Sequence, residues 1–194
     1  IVFTYNKSAP HISSSSITPN LCSYGETGTA TLNFDRTLIA GESLKMSLVN
    51  IDTGASVLNQ DITTDLQTST SYTLQNLPPG TYKLDLLGAL NNGNEPTYTD
   101  SATHTISFEI TKPSPVTFDS PSKTDVFCFQ GNDGIINLTA NGGQSQFQYL
   151  VTKDGQSFLD WTNFDNGSNA SLQNLSSGVY KIKVRDSNQC IAKD

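Results

Sequence analysis

The chain is expected to be all-β, built as two tandem β-sandwiches, and three observations carry that expectation. The first is an internal echo: Leu74-Gln75-Asn76-Leu77-Pro78-Pro79-Gly80-Thr81-Tyr82-Lys83 returns as Leu172-Gln173-Asn174-Leu175-Ser176-Ser177-Gly178-Val179-Tyr180-Lys181, 98 residues on from Tyr82 to Tyr180. The second is strand periodicity, since Tyr180, Ile182 and Val184 alternate with Lys181, Lys183 and Arg185, the period of two of a strand with one buried face. The third is the geometry implied by Gly followed two residues later by Tyr. A ring buried there can return its hydroxyl to the corner's backbone, which is the tyrosine corner of immunoglobulin-like sandwiches. A generic hairpin explains one such copy but two of them poorly. Tyr82 and Tyr180 are therefore assigned as tyrosine corners.

A second shared signature precedes each corner. Cys22-Ser23-Tyr24-Gly25-Glu26-Thr27-Gly28 matches Cys128-Phe129-Gln130-Gly131-Asn132-Asp133-Gly134 at an offset of 106 (Cys22 to Cys128). The two offsets differ by eight residues, a loop-sized insertion in the first copy. A third match, Ile1-Val2-Phe3-Thr4-Tyr5 with Ile106-Ser107-Phe108-Glu109-Ile110, has an offset of 105 (Phe3 to Phe108). It predicts that residues 1–9 end a preceding repeat, that 10–112 form unit one, and that 113–194 form unit two without its closing strand. The chain so read is a window on a rod-like tandem array.

Element by element, unit one is expected to hold a Ser-rich edge strand after His11 and strands at 29–34, around Leu44–Leu48, from Ser56, over Thr70–Leu74, at the Tyr82 corner and at 103–110. Gly88–Asp100, with Asn91-Asn92-Gly93-Asn94-Glu95-Pro96, reads as irregular loop. Lys112-Pro113-Ser114-Pro115 is a stiff linker. Unit two repeats the plan with strands at 135–140, 146–152, 157–161, 170–173 and 179–185. Asn141-Gly142-Gly143 and Asp154-Gly155 supply its turns. No stretch keeps a helical period beyond two turns.

Composition narrows the function. A net charge of −7 with no basic cluster argues against nucleic acid as a partner. No run of 18 or more apolar residues exists to span a membrane as a helix. Abundant Ser, Thr, Asn and Gly with few charges suits an extracellular β protein. Three cysteines cannot all pair within the chain; Cys128 and Cys190 flank unit two, and an exported protein would allow them to bond, leaving Cys22 a buried free thiol. Zinc competes weakly for three such distant Cys and two His. Oxygen ligands at Asn132-Asp133 and Asp186-Ser187-Asn188 would suit calcium, though turn chemistry explains them as well. No cofactor is expected. His11 and His104 lack the partners of a catalytic triad, so no enzyme is expected either. Trp161 reads as core or sheet-covering, with sugar stacking as the alternative beside Asn163 and Asp165.

These residues resemble the SprB-type repeat of the gliding-motility cell-surface adhesins of Bacteroidota. The resemblance rests on a Cys-x-x-Gly-x-x-Gly opening (Cys128, Gly131, Gly134), a Leu-x-x-Leu-x-x-Gly-x-Tyr corner (Leu172, Leu175, Gly178, Tyr180) and an Asp-x-x-x-Cys ending (Asp186, Cys190). Unit one carries the first two at Cys22, Gly25, Gly28, Leu74, Leu77, Gly80 and Tyr82, and has Asn92 where unit two has Cys190. The resemblance implies an outer-membrane-attached filament of stacked immunoglobulin-like repeats, exported by type IX secretion and active in surface adhesion and gliding. The partners it implies are neighbouring repeats of the same chain and surface glycans or other surface ligands. Asp100-Ser101-Ala102 resembles the site at which Bacteroidota O-glycosylate exported proteins, which singles out Ser101. The alternative to a stalk segment is a carbohydrate- or protein-binding module of a secreted multidomain protein.

Overall fold

The computed structural model describes residues 9–91, 96–99 and 105–193, and the side chains of all of these except 90, 91 and 96–99. Ile1–Tyr5, Asn92, Ser101 and His104 therefore lie outside the described residues. The protein is nearly all β, and it divides into two compact units after Thr111, with the short segment Leu21–Gly25 belonging to unit two.

Unit one runs β1 (Ile12–Thr18), β2 (Gly28–Phe34), β3 (Glu42–Asn50), β4 (Ala55–Asp61), α1 (Thr63–Thr68), β5 (Ser71–Leu77), β6 (Gly80–Asn91), β7 (Pro96–Thr99) and β8 (Thr105–Ile110). One sheet is ordered β1-β2-β5; the other is ordered β4-β3-β6, with both β7 and β8 pairing β6. Every ladder is antiparallel. Alternation in the sequence decides which face each strand buries. Ala30, Leu32 and Phe34 of β2 and Leu44, Met46 and Leu48 of β3 point inward, with half-exposed or exposed residues between them. Leu84 and Leu86 of β6 and Phe108 and Ile110 of β8 complete that core. This is a two-sheet sandwich with the corner Tyr at the start of the sixth strand, the immunoglobulin-like arrangement.

Two local expectations need correction. Gly88–Asp100 is not irregular throughout: β6 continues to Asn91 and Pro96–Thr99 folds back on it, pairing Ala89 with Thr99 and Asn91 with Pro96. The physical reason is β3, which pairs β6 as far as Glu42–Leu90 and so gives the long strand a partner along its far end. The single helix, α1, is one short turn-and-a-half that drops Leu66 into the core.

Unit two runs β9 (Thr117–Phe118), β10 (Ser122–Thr124), β11 (Gly134–Asn141), β12 (Gln148–Lys153), β13 (Gln156–Asn163), β14 (Asn169–Leu175) and β15 (Tyr180–Arg185). Its sheets are β10-β11-β14, with β9 also on β11, and β13-β12-β15. Leu138, Ala140, Tyr149, Val151, Leu172 and Val184 form the centre of its core. The order matches unit one strand for strand until the closing position. There β6 pairs β8 in unit one, whereas β15 has a strand partner on one side only among the described residues.

Candidate functional site

The repeated sequence motifs meet at one place in each unit. In unit one the Tyr82 hydroxyl donates to the Pro78 carbonyl at 2.7 Å; in unit two the Tyr180 hydroxyl donates to the Ser176 carbonyl at 2.8 Å. The left-handed residue of each corner is the Asn, Asn76 at φ 56° and Asn174 at φ 57°. Asn tolerates that region better than other residues with a Cβ. Beside each corner the ladder slips: the register shifts between Gly28 and Ala30 against β5, and between Gly134 and Ile136 against β14. A Cβ on Gly28 would lie 2.7 Å from the Leu77 carbonyl oxygen, and one on Gly134 would lie 2.8 Å from that of Leu175. The last Gly of the opening motif is thus dictated by the corner of the other motif. The two signatures are one structural device.

Sequence reasoning missed a third member of that device. The Asp52 carboxylate accepts the Thr81 backbone N–H at 2.8 Å, and the Asp154 carboxylate accepts that of Val179 at 2.8 Å. In both units an acidic residue of the turn after the third strand ties down the start of the corner strand. The available signal was the Asp of Asp52-Thr53-Gly54 and Asp154-Gly155, which reads as turn chemistry alone until the topology puts it beside the corner.

The corners differ in what covers them. Tyr82 is fully buried and stacks on Phe108 with ring centroids 5.5 Å apart. That burial pushes its phenol above the ordinary tyrosine value. Tyr180 is half-buried and meets the exposed Phe158 edge-on at 5.6 Å.

The expected Cys128–Cys190 bond is overturned. Cys190 is bonded to Cys22, with Cα atoms 5.5 Å apart, and Cys128 is an exposed free thiol. The segment Leu21–Gly25 seats this bond within unit two. The Leu21 carbonyl accepts from Asn188 Nδ2 at 3.3 Å, and the Tyr24 hydroxyl accepts the Ile191 N–H at 2.9 Å. Lys193 lies over the Tyr24 ring at 4.7 Å. Asp186 fixes the other half, accepting the Cys190 N–H at 2.8 Å and the Gln144 N–H at 2.9 Å. Cys22 and Cys128 hold equivalent positions in the repeat, so spacing alone could not choose between them.

The residues considered for ligand contact are engaged elsewhere. Trp161 has the Arg185 guanidinium stacked on its face at 4.0 Å. Arg185 Nε donates to Gln148 Oε1 at 2.8 Å, and Gln148 Nε2 donates to Asn163 Oδ1 at 2.9 Å. Trp161, Arg185, Gln148 and Asn163 therefore form one ladder across β13, β12 and β15. Asp165 stands apart from it and accepts the Ser171 N–H at 3.3 Å. The carboxylates weighed for calcium serve as backbone caps, Asp186 as above and Asp133 on the Phe127 N–H at 3.1 Å. Among the described residues, no group of three or more His, Cys, Asp or Glu could hold a metal ion. No helix among them is long and apolar enough to cross a membrane.

The class defined by this geometry is a tandem immunoglobulin-like β-sandwich protein. Within it, residues 120–155, covering the opening motif and the third strand of unit two, match the SprB repeat family. Among solved structures, a segment of two fibronectin type III domains from chicken tenascin aligns at 14% identity over 95% of this chain and 94% of that one, with a TM-score of 0.35. Fibronectin(III)-like modules of CbhA from Clostridium thermocellum align at 12% identity over 93% and 90%, with a TM-score of 0.32. The BSP domain of a biofilm-associated protein aligns at 15% identity over 87% of this chain and 26% of that one, with a TM-score of 0.29. No curated protein sequence matches the chain.

Proposed function

We propose that the chain is a structural stalk segment of a large secreted cell-surface adhesin, serving surface adhesion and gliding motility in a bacterium of the Bacteroidota that exports it by type IX secretion. The observation that carries this reading is the SprB repeat match at residues 120–155 inside a chain that repeats its own corner device. A stalk needs units that hold their shape, and what repeats here is the fastening: the Tyr hydroxyl to the corner carbonyl, the Asp cap and the bulge glycine. The Trp161 face is occupied by Arg185, which supports a sheet-covering role over a sugar platform. On this reading the partners are neighbouring repeats of the same chain.

The test is made on producing cells. Antibody raised against this chain should label the surface of intact cells in extended projections, and an in-frame deletion of the region should impair both attachment and spreading on a surface. A protein confined to the cytoplasm, or attachment and spreading untouched by the deletion, would remove the proposal. A glycan array probed with the isolated chain is the complementary measurement; binding that disappears in Trp161→Ala would replace the stalk by a carbohydrate-binding module.

A further inference from the structure

The two units part company at the last strand of the second sheet. In unit one β8 lies along β6 from Gly80–Ile110 to Asp85–Thr105. Its Phe108 covers the Tyr82 ring, and its Ile110 lies so close over Gly28 that a Cβ there would overlap it. In unit two the matching side of β15 carries, among the described residues, only the single bridge Arg185–Ile191. Where Ile110 would sit there is instead a groove of about 270 Å³ between β10, β11 and the second corner, lined by Val126, Gly134, Ile136, Leu175, Gly178 and Tyr180. Ile136, Tyr180 and Ile182 pack on the core yet are only half-buried, and Val179 is exposed. An unpaired edge beside an apolar groove is a template for an added strand.

We propose that β15 and this groove accept an extended segment of a second copy of the chain, residues Ile1–Tyr5, added antiparallel to β15. The choice of occupant follows from the sequence. Ile1-Val2-Phe3-Thr4-Tyr5 repeats the pattern of Ile106–Ile110, contains no charge and no Pro, and is rich in strand-favouring residues. Transferring the β6–β8 register places Phe3 opposite Tyr180, Tyr5 opposite Gly178 and Ile1 opposite Ile182. Ile1, Phe3 and Tyr5 then share the inward face, with Tyr5 over Gly134 as Ile110 is over Gly28. Val2 and Thr4 face outward beside Lys181 and Val179. The source follows from chain order. In unit one the closing strand precedes the linker to the next unit, so Ile1–Tyr5 stands in the place of a strand closing a sandwich before unit one, not the unit two that follows it. A second copy supplies that order, with the donor's unit one following its donated strand. Such contacts are heterologous and do not close on themselves, so association is head-to-tail and open-ended.

The experiment uses the full chain carrying Cys128→Ser, which removes the free thiol as a source of covalent dimers. Sedimentation from micromolar to millimolar concentration should show weight-average mass rising without a plateau at dimer. Phe3→Asp in the same chain should weaken that association at least tenfold. In the Phe3→Asp chain, a synthetic peptide of residues 1–8 should slow amide hydrogen exchange in Val179–Arg185 at least tenfold and leave β6 unchanged. Association equally strong in Phe3→Asp would overturn the proposal. So would a peptide without effect on those amides, or a monomer at every concentration whose Val179–Arg185 amides are already as protected as those of β6.

Discussion

Tyr82 and Tyr180 sit in the same motif, donate to the same carbonyl four residues back, and are fastened by the same kind of Asp, yet one is sealed and the other is half open. The difference comes from neither corner. It comes from Phe108 and Ile110, about thirty residues downstream in unit one, which lie across Tyr82 and Gly28. A local motif thus specifies the path of the backbone, while a non-local strand sets how far water reaches the side chains. In place of that strand, unit two has a disulfide gathering Leu21–Gly25 and the residues around Cys190 onto its core. The two units solve the same edge of the sandwich by different means, one by a strand and one by a covalent tie.

The tie gives the largest expected effect. In the chain-entropy model a crosslink spanning 168 residues restrains the unfolded chain by about 5 kcal/mol, before any native strain is subtracted. Cys190→Ser should therefore lower the stability of unit two by about 2–5 kcal/mol and leave the transition of unit one where it is, as read by denaturant melts with separate probes for each unit. The pairing itself is checked by labelling the unfolded, unreduced protein, in which Cys128 alone should react. A labelled Cys22 with an unreactive Cys128 would restore the bond expected from the spacing and remove the contrast between the units.

The second contrast is at the rings. Phe108→Ala removes a nearly buried ring from the Tyr82 stack and should cost unit one about 3–5 kcal/mol. Its nearest analogue in unit two is Phe158→Ala, which takes away an exposed edge-on partner of Tyr180 and should cost about 1 kcal/mol. Tyr82→Phe leaves the Pro78 carbonyl without its donor and should cost about 1–2 kcal/mol; Tyr180→Phe should sit at the lower end, because water can replace the donor at a half-open corner. Alkali sharpens the same point. Because the folded Tyr82 phenol is held above its unfolded value, the native state keeps a proton that the unfolded chain loses near pH 10. Unit one should therefore lose stability as pH rises above about 10, and Tyr82→Phe should flatten that slope. Equal losses at the two corners, or an unchanged alkaline slope, would mean that the closing strand does not seal Tyr82.

What was legible in the sequence was whatever repeats within a few residues or alternates along a strand. The corners, the Gly–Gly opening, the linker and most strands are local and periodic, so physics acting over two to ten residues leaves a trace of them. The choice of partner for Cys190 was not legible, because it pits two equivalent cysteines against each other and is decided by where Asn188, Tyr24 and Asp186 come together in space. Asp52 and Asp154 were visible only as turn residues, since their acceptor role needs a strand that arrives 25 or more residues later. The hairpin of β6 with β7 was hidden by an Asn- and Gly-rich sequence whose own preference is for turns, overridden by the partner that β3 offers. Trp161 was open between two roles until Arg185 was found on its face.

The smallest expected effect tests whether the strand parity behind all of this is right. Lys83 and Lys181 stand one residue after the corner tyrosines, and alternation puts both on the outer face. Lys83 Nζ lies 2.9 Å from Asp85 Oδ2 with both side chains well exposed, an ion pair of the kind that contributes a few tenths of a kcal/mol and weakens with salt. Asp85 is held below the ordinary carboxylate range first by the Thr105 hydroxyl, which donates to it at 2.6 Å, and only then by Lys83. Its contribution is therefore present at neutral pH, is lost only as pH falls through that lowered value, and largely survives the loss of the lysine. Lys83→Ala and Lys181→Ala should each cost under about 0.5 kcal/mol. If either matches its neighbouring Tyr→Phe change in denaturant melts, that strand is turned over, its apolar residues face solvent, and the two corners are not the same device.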